Sequence, residues 1–166
     1  MTANYERAFA GRPEVYAAWI ALNTAVKATM ELRRYELATL AAALRLRSSY
    51  CSLAHGRVLA EQLHEPVLAI ARDRHSAGLS AVDLAVMELA ERVVDDASAI
   101  DDEARRPLRD LGLSPAEIDD VVLAASARCF FSKALDGLGA LPDASFRELE
   151  PELRDALVVG RPIAES

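Results

Sequence analysis

The chain is predicted to be all-α, and three observations carry that prediction. No segment alternates apolar and polar residues with the period of two that a half-buried strand requires, whereas several carry apolar residues three and four apart. Hydrophobic residues make up 52% of the chain but aromatics only 5%, so the apolar surface comes from Ala, Leu and Val. Short, smooth side chains of that kind suit helices packed closely on one another. Glycine and proline are scarce, seven of each, and they fall where helices should start or stop.

Each element follows from the same signals. Pro13 sits at the first turn of a helix running through Trp19, Leu22 and Val26, where its missing N–H costs nothing. Leu37, Leu40, Ala41 and Leu44 form the stripe of a second helix, fading at Arg47-Ser48-Ser49, where a serine can cap the next one. The third carries Cys51, His55, Leu59 and Leu63 on one line at spacing four, and Pro66 follows. Gly78-Leu79-Ser80 is a break, and Ser80 with Asp83 reads as a capping box opening the stripe Leu84, Met87, Leu89, Ala90, Val93. The acidic stretch from Asp95 to Glu103 reads as a solvated turn and helix start. Arg105 to Leu111 is a short helix stopped by Gly112. Ser114-Pro115-Ala116-Glu117 then opens a long helix to about Leu135, which Gly137, Gly139 and Pro142 end. An echo is also present: Glu36 to Cys51 aligns with Glu117 to Ser132 at an offset of about 81 residues, pairing Ala43 with Ala124 and Arg47 with Arg128. A degenerate helical repeat would leave such a trace.

With 166 residues the chain suits one domain. Its net charge is −7, and no cluster of Lys and Arg stands clear of nearby acids, which argues against a nucleic-acid partner. No run approaches the ~20 apolar residues of a membrane span. Glu6 and Glu14 precede any apolar run, unlike a secretory signal. Two cysteines, Cys51 and Cys129, fit a reduced, cytoplasmic protein.

One short stretch, Ser48-Ser49-Tyr50-Cys51-Ser52-Leu53-Ala54-His55, holds the candidate chemistry. On a helix Cys51 and His55 are i and i+4, neighbours on one face. A thiol near a helix N-terminus feels the positive end of the dipole and an adjacent imidazole can take its proton; both favour the thiolate, which is the nucleophile. Glu36, on the preceding helix, is placed to orient the imidazole or to pass a proton through a water. Spacing alone is equally met by a small core cysteine and an unrelated, partly exposed histidine. His64 and His75 stand apart and read as surface residues.

The pattern Glu36, eleven residues, position 48, two residues, Cys51, three residues, His55 resembles the signature of the AhpD-like / carboxymuconolactone decarboxylase superfamily, in its alkylhydroperoxidase-like, peroxidase-related branch. Downstream, Leu84 through Ala90, Leu108 to Gly112, Ser114 to Ile118 and Phe130-Phe131 before Asp136-Gly137-Leu138-Gly139 are similar to the same branch. The resemblance implies a multi-helical AhpD-like bundle of about six to seven helices over residues 1–166, with its core at about 15–146 and a loosely structured tail at 141–166. It implies a homo-oligomer built on trimers through helix faces, with no cofactor and no metal. By position it makes Cys51 the attacking thiol, His55 the base and Glu36 its partner. The resolving cysteine of the family's Cys-x-x-Cys is replaced by Ser48, so the internal disulfide cycle is missing. Tyr50 stands where some members carry a second histidine.

Three functions follow as expectations. The first is reduction of a hydroperoxide by the single Cys51, restored by an external thiol reductant. The second is a lyase or isomerase of the carboxymuconolactone decarboxylase kind, acting on an organic acid by proton transfer through His55 and Glu36. The third is a non-catalytic helical oligomer that binds a small molecule.

Overall fold

The structure is a computed structural model that describes residues 2–165, and among these are nine α-helices and no strand. The all-α expectation holds, with more helices than the six to seven anticipated. The excess lies in short elements: α1 (Asn4–Ala8), α5 (Val67–Asp73) and α9 (Pro151–Leu157) are one or two turns long, too short for a periodic stripe to register.

The longer helices begin where their caps place them. In α2 (Pro13–Ala28) the proline occupies the first turn. In α6 (Ala81–Asp96) and α8 (Pro115–Gly137), Ser80 with Asp83 and Ser114 with Glu117 both close reciprocal capping boxes. Asp101 accepts from the Ala104 N–H and so starts α7 (Asp102–Asp110) about a turn before Arg105.

The centre of the fold is α3 (Leu32–Arg45), packed against α4 (Ser49–Glu61), α6 and α8. Every residue from Tyr35 to Ala43 is buried, so this helix is apolar all round rather than on one stripe. Ala38, Ala41, Ala42 and Ala43 present small side chains that let three neighbours approach its axis at once. A charged residue within such a stretch is held in the interior, and Glu36 is that residue.

Between α3 and α4 the chain reverses through Arg47 in the left-handed region, φ 57°. Ser48 takes the N-cap position of α4, but its hydroxyl makes no capping bond. Ser49 instead accepts, at 2.7 Å, from the backbone N–H of Gly160. The echo between 36–51 and 117–132 is not a repeated unit. The first stretch spans two helices around this reversal, whereas the second is one uninterrupted run of α8.

The tail expected to be loose at 141–166 is, over its described residues to 165, a packed cap. A short 3-10 segment (Ala144–Glu148) precedes α9, which packs on α4 and α5. Phe146, Leu149 and Leu157 are all buried. Leu157 reaches α4 because Gly56 has no side chain; a Cβ there would lie 2.5 Å from Leu157 Cδ1. Phe146, Leu149, half-buried Leu153 and Leu157 stand three and four apart, but the run is divided between the 3-10 segment and α9, so no single helix carries the stripe.

Candidate active site

Four helices bring the site together. From α3 comes Glu36, from α4 Cys51 and His55, from α2 Lys27, and from α8 Arg128; all five line one cavity of about 600 Å3. Cys51 lies in the first turn of α4 and is 2% exposed. His55 follows one turn later on the same face, with 12% of its side chain exposed.

Glu36 is the anchor. Its Oε2 lies 2.6 Å from His55 Nδ1 and its Oε1 accepts from Lys27 Nζ at 3.2 Å. Burial alone would push this carboxyl up, but the hydrogen bond and charge of the His55 and Lys27 partners outweigh it and hold Glu36 below its ordinary value. His55 moves down to about 4, chiefly through burial and the nearby Arg128 charge, against the opposing pull of Glu36. At neutral pH the pair is therefore a carboxylate and a neutral imidazole. A carboxylate only accepts, so Nδ1–H donates to Glu36 and Nε2 carries the free lone pair.

The partner of Cys51 is not His55. Arg128 Nη1 lies 3.6 Å from Cys51 Sγ, and Nη2 donates to the Tyr35 hydroxyl at 3.2 Å. Tyr35 in turn donates to Asn23 Oδ1 at 2.7 Å. The guanidinium sits over the rings of Trp19 and Phe131, 5.6 and 5.7 Å from their centroids. Among the described residues no direct hydrogen bond joins His55 to Cys51, so the imidazole reaches the thiol only through a bridging group.

Ser48 is fully buried one turn before Cys51, and its hydroxyl has no hydrogen-bond partner. Two other buried side-chain polar atoms lack one among the described residues, Arg128 Nε and Ser132 Oγ. All three belong to residues within a helical turn of the Cys51–Arg128 contact. Cys129, the other free thiol, is not among the residues lining the cavity. His64 and His75 are exposed, as expected.

Of the four candidates read from the sequence, Glu36, Cys51 and His55 line the cavity, while Ser48 lies one turn before Cys51 outside its lining; Arg128, which also lines it, was not among them. The signal was present. Ile118, Val121, Ala125, Arg128, Ser132 and Leu135 step three and four apart along α8, and each is buried. An arginine in the middle of such a line is forced into the interior, where an unpaired charge is costly enough to need a reason.

The chain shares its fold with two solved structures. One is the alkylhydroperoxidase AhpD core, an uncharacterized peroxidase-related protein from Ralstonia eutropha, at TM-score 0.81 and 18% identity over 88% of this chain and 80% of that one. The other is an uncharacterized peroxidase-related protein from a Silicibacter species, also at TM-score 0.81 and 18% identity, over 89% of this chain and 80% of that one. No protein-family model matches the chain. No curated protein matches it either.

Proposed function

We propose that the protein is a one-cysteine, thiol-dependent peroxidase in which Cys51 reduces a hydroperoxide. The observation that carries this reading is the 3.6 Å contact between Cys51 Sγ and the guanidinium of Arg128, in a cavity shared with the His55–Glu36 pair. The Arg128 charge accompanies the sulfur anion, and neutral His55 takes the thiol proton at Nε2 through one water. The sulfur attacks the terminal oxygen of the hydroperoxide. The O–O bond breaks, the alkoxide leaves as an alcohol with the proton returned from His55, and Cys51 becomes a sulfenic acid. An external thiol displaces water from that sulfur to give a mixed disulfide. A second thiol then releases Cys51 and departs as the oxidised disulfide.

Cys51→Ser abolishes peroxide turnover on this reading, measured with cumene hydroperoxide and a small dithiol as reductant. Turnover that survives the change overturns it.

A second reading is favoured by one feature. His55 is tied to Glu36 at 2.6 Å and has no direct bond to the thiol, which suits proton transfer on an organic acid independent of sulfur. Lyase or isomerase activity that persists in Cys51→Ser and disappears in His55→Ala would select it. For assembly we propose a trimer-based homo-oligomer. Ile20 and Leu22 on α2, with Leu123, Phe130 and Leu138 at α8 and its C-cap, leave large apolar side chains exposed that a second copy would cover. Native mass spectrometry reads that state directly.

A further inference from the structure

The cavity concentrates what the rest of the chain lacks. All four tyrosines, the sole tryptophan and two of the four phenylalanines line it, in a protein whose aromatics make up only 5% of residues. Trp19 and Phe131 stack at 4.5 Å and form a flat wall beside Arg128. A cavity of about 600 Å3 with such walls accommodates a single-ring ligand.

Its charge runs against that of the protein. Lys27, Arg57 and Arg128 face Glu36 and Asp143, an excess of one positive charge while His55 is neutral, in a chain of net charge −7. Both acids are already committed. Glu36 is held by His55 and Lys27, and Asp143 by the Tyr50 hydroxyl and the Asn4 backbone N–H. Of the cations, Lys27 is spent on Glu36, and Arg57 lies over the Phe146 ring. Arg128 is 4% exposed and makes no ion pair with any carboxylate among the described residues. Its Nη atoms are engaged by Cys51 and Tyr35, while its Nε–H donor has no partner. A buried guanidinium with an idle donor, beside an aromatic wall, is half of a carboxylate site.

We infer that the cavity binds a planar aromatic monocarboxylate, with the ring against the Trp19–Phe131 wall and the carboxylate on the free Nε–H edge of Arg128. This names the ligand class of the site and rests on the proposed function only for the ligand's place beside Cys51. In the peroxidase reading the substrate is then a hydroperoxide that carries such an acid.

The sole tryptophan makes the test direct, because Trp19 emission reports on the wall itself. The whole chain is titrated with benzoate, benzamide and acetate, with no peroxide present. Benzoate should perturb Trp19 emission saturably and bind at least ~10-fold more tightly than either benzamide or acetate, the scale of losing one charged hydrogen bond or one buried ring. Benzamide matching benzoate removes the anion from the inference, and acetate matching it removes the ring; either result overturns it, as does the absence of saturable binding by benzoate. These comparisons use the unaltered protein, so they stand even if an Arg128 variant fails to fold. In Arg128→Met benzoate should fall to the level of benzamide, with Arg128→Lys recovering part of the difference; a benzoate preference that survives Arg128→Met overturns the site. Cys51→Ser separates the two readings, since it should stop peroxide turnover and leave benzoate binding in place. Binding without turnover in the unaltered protein retains the ligand class and rejects the peroxidase, and turnover without binding does the reverse.

Discussion

Arg128 and Cys51, 77 positions apart in sequence, meet at 3.6 Å between Nη1 and Sγ, and no carboxylate among the described residues neutralises the arginine. A guanidinium is costly to bury, and the cost is usually offset by an anion with matched geometry. Here the groups within reach are a thiol, a tyrosine hydroxyl and two aromatic rings. Such a charge is poorly explained by stability, and in the proposed mechanism it acts at the sulfur. Replacing Arg128 with Met should therefore lower peroxide turnover by on the order of 10²-fold, the scale of one preorganised charge at a reacting centre. The thermal midpoint should change little or rise, because Met fills the space without a desolvated charge. A large loss of stability with turnover per folded molecule intact would assign Arg128 to the core instead.

Acid should weaken the fold through the Glu36–His55 pair, and the sign follows from both partners. His55 is lowered to about 4 in the folded chain, below its ordinary 6.5, mainly by burial. Between those values the unfolded chain binds a proton that the folded one does not, so stability falls as pH drops from about 6.5 towards 4. Glu36 is also held below its ordinary value, by His55 and Lys27 against its burial. Its contribution is present above the ordinary carboxylate range and is lost as pH falls through it, in the same direction. Urea midpoints at pH 7.5 and 5 should differ by about 1–3 kcal/mol in stability. His55→Asn should flatten most of that slope; an equally steep slope in the variant would place the titrating group elsewhere.

The same pair gives turnover its acid limit. With neutral His55 as the proton acceptor of the proposed mechanism, activity should be flat across neutral pH and decline only towards pH 4, where the imidazole gains its proton. Glu36→Gln removes the negative charge and leaves one acceptor oxygen where His55 Nδ1–H and Lys27 each need one, so the tautomer is held less firmly and turnover should fall roughly 10–10²-fold with little change in KM. It also leaves Lys27 without its acid. Lys27 is 44% exposed and can turn to solvent, so Lys27→Met should affect turnover far less than Glu36→Gln.

The C-terminal cap depends on a close approach at Gly160. A Cβ added there would sit 2.1 Å from the Arg47 carbonyl oxygen, and the Gly160 N–H holds Ser49 at the start of α4. Gly160→Ala must push the backbone away and should destabilise the fold by about 1–3 kcal/mol. Calorimetry on the variant measures this, and an unchanged midpoint would mean that the cap contributes no stability.

Much of this arrangement was legible in the sequence because it follows from local chemistry. Ser80 with Asp83 and Ser114 with Glu117 announce helix starts through groups three residues apart, and both boxes form as read. Spacing across α4 put Cys51 and His55 on one face, with Glu36 on the helix before as their candidate partner. The hidden parts are those that only tertiary packing decides. That Glu36 engages His55 at one oxygen and Lys27 at the other requires α2, α3 and α4 to be stacked first. Helix α9 packs through Leu157 into a notch left by Gly56, a contact between residues about 100 positions apart whose partners spacing along the chain does not name. Arg128 was recorded only as one member of the echo with Arg47. Its place on the buried line of α8 was the cue that a single stripe of apolar residues does not supply.

Ser48 offers a sharp test of the proposed single-cysteine cycle. The side chain is fully buried and its hydroxyl is unpartnered, an arrangement that burial penalises. Cysteine is close in size and its thiol demands less of its surroundings, so Ser48→Cys should fit without disturbing the α3–α4 reversal and should gain up to about 1 kcal/mol. The new thiol would stand one turn before Cys51, where side chains three apart on a helix approach to about 5–6 Å and a modest rotation brings the sulfurs to bonding distance. On adding one equivalent of hydroperoxide, the Cys51 sulfenic acid should then be captured from within, releasing water and forming a Cys–Cys disulfide visible as the loss of two hydrogens in the intact mass. Turnover in the variant should rise with dithiol reductants and become less sensitive to their concentration, since one step of recovery is now intramolecular. A variant that folds and reacts with peroxide yet stops at the sulfenic acid would mean that position 48 cannot reach the reacting sulfur, and that the single-cysteine cycle is imposed by geometry as well as by the missing thiol.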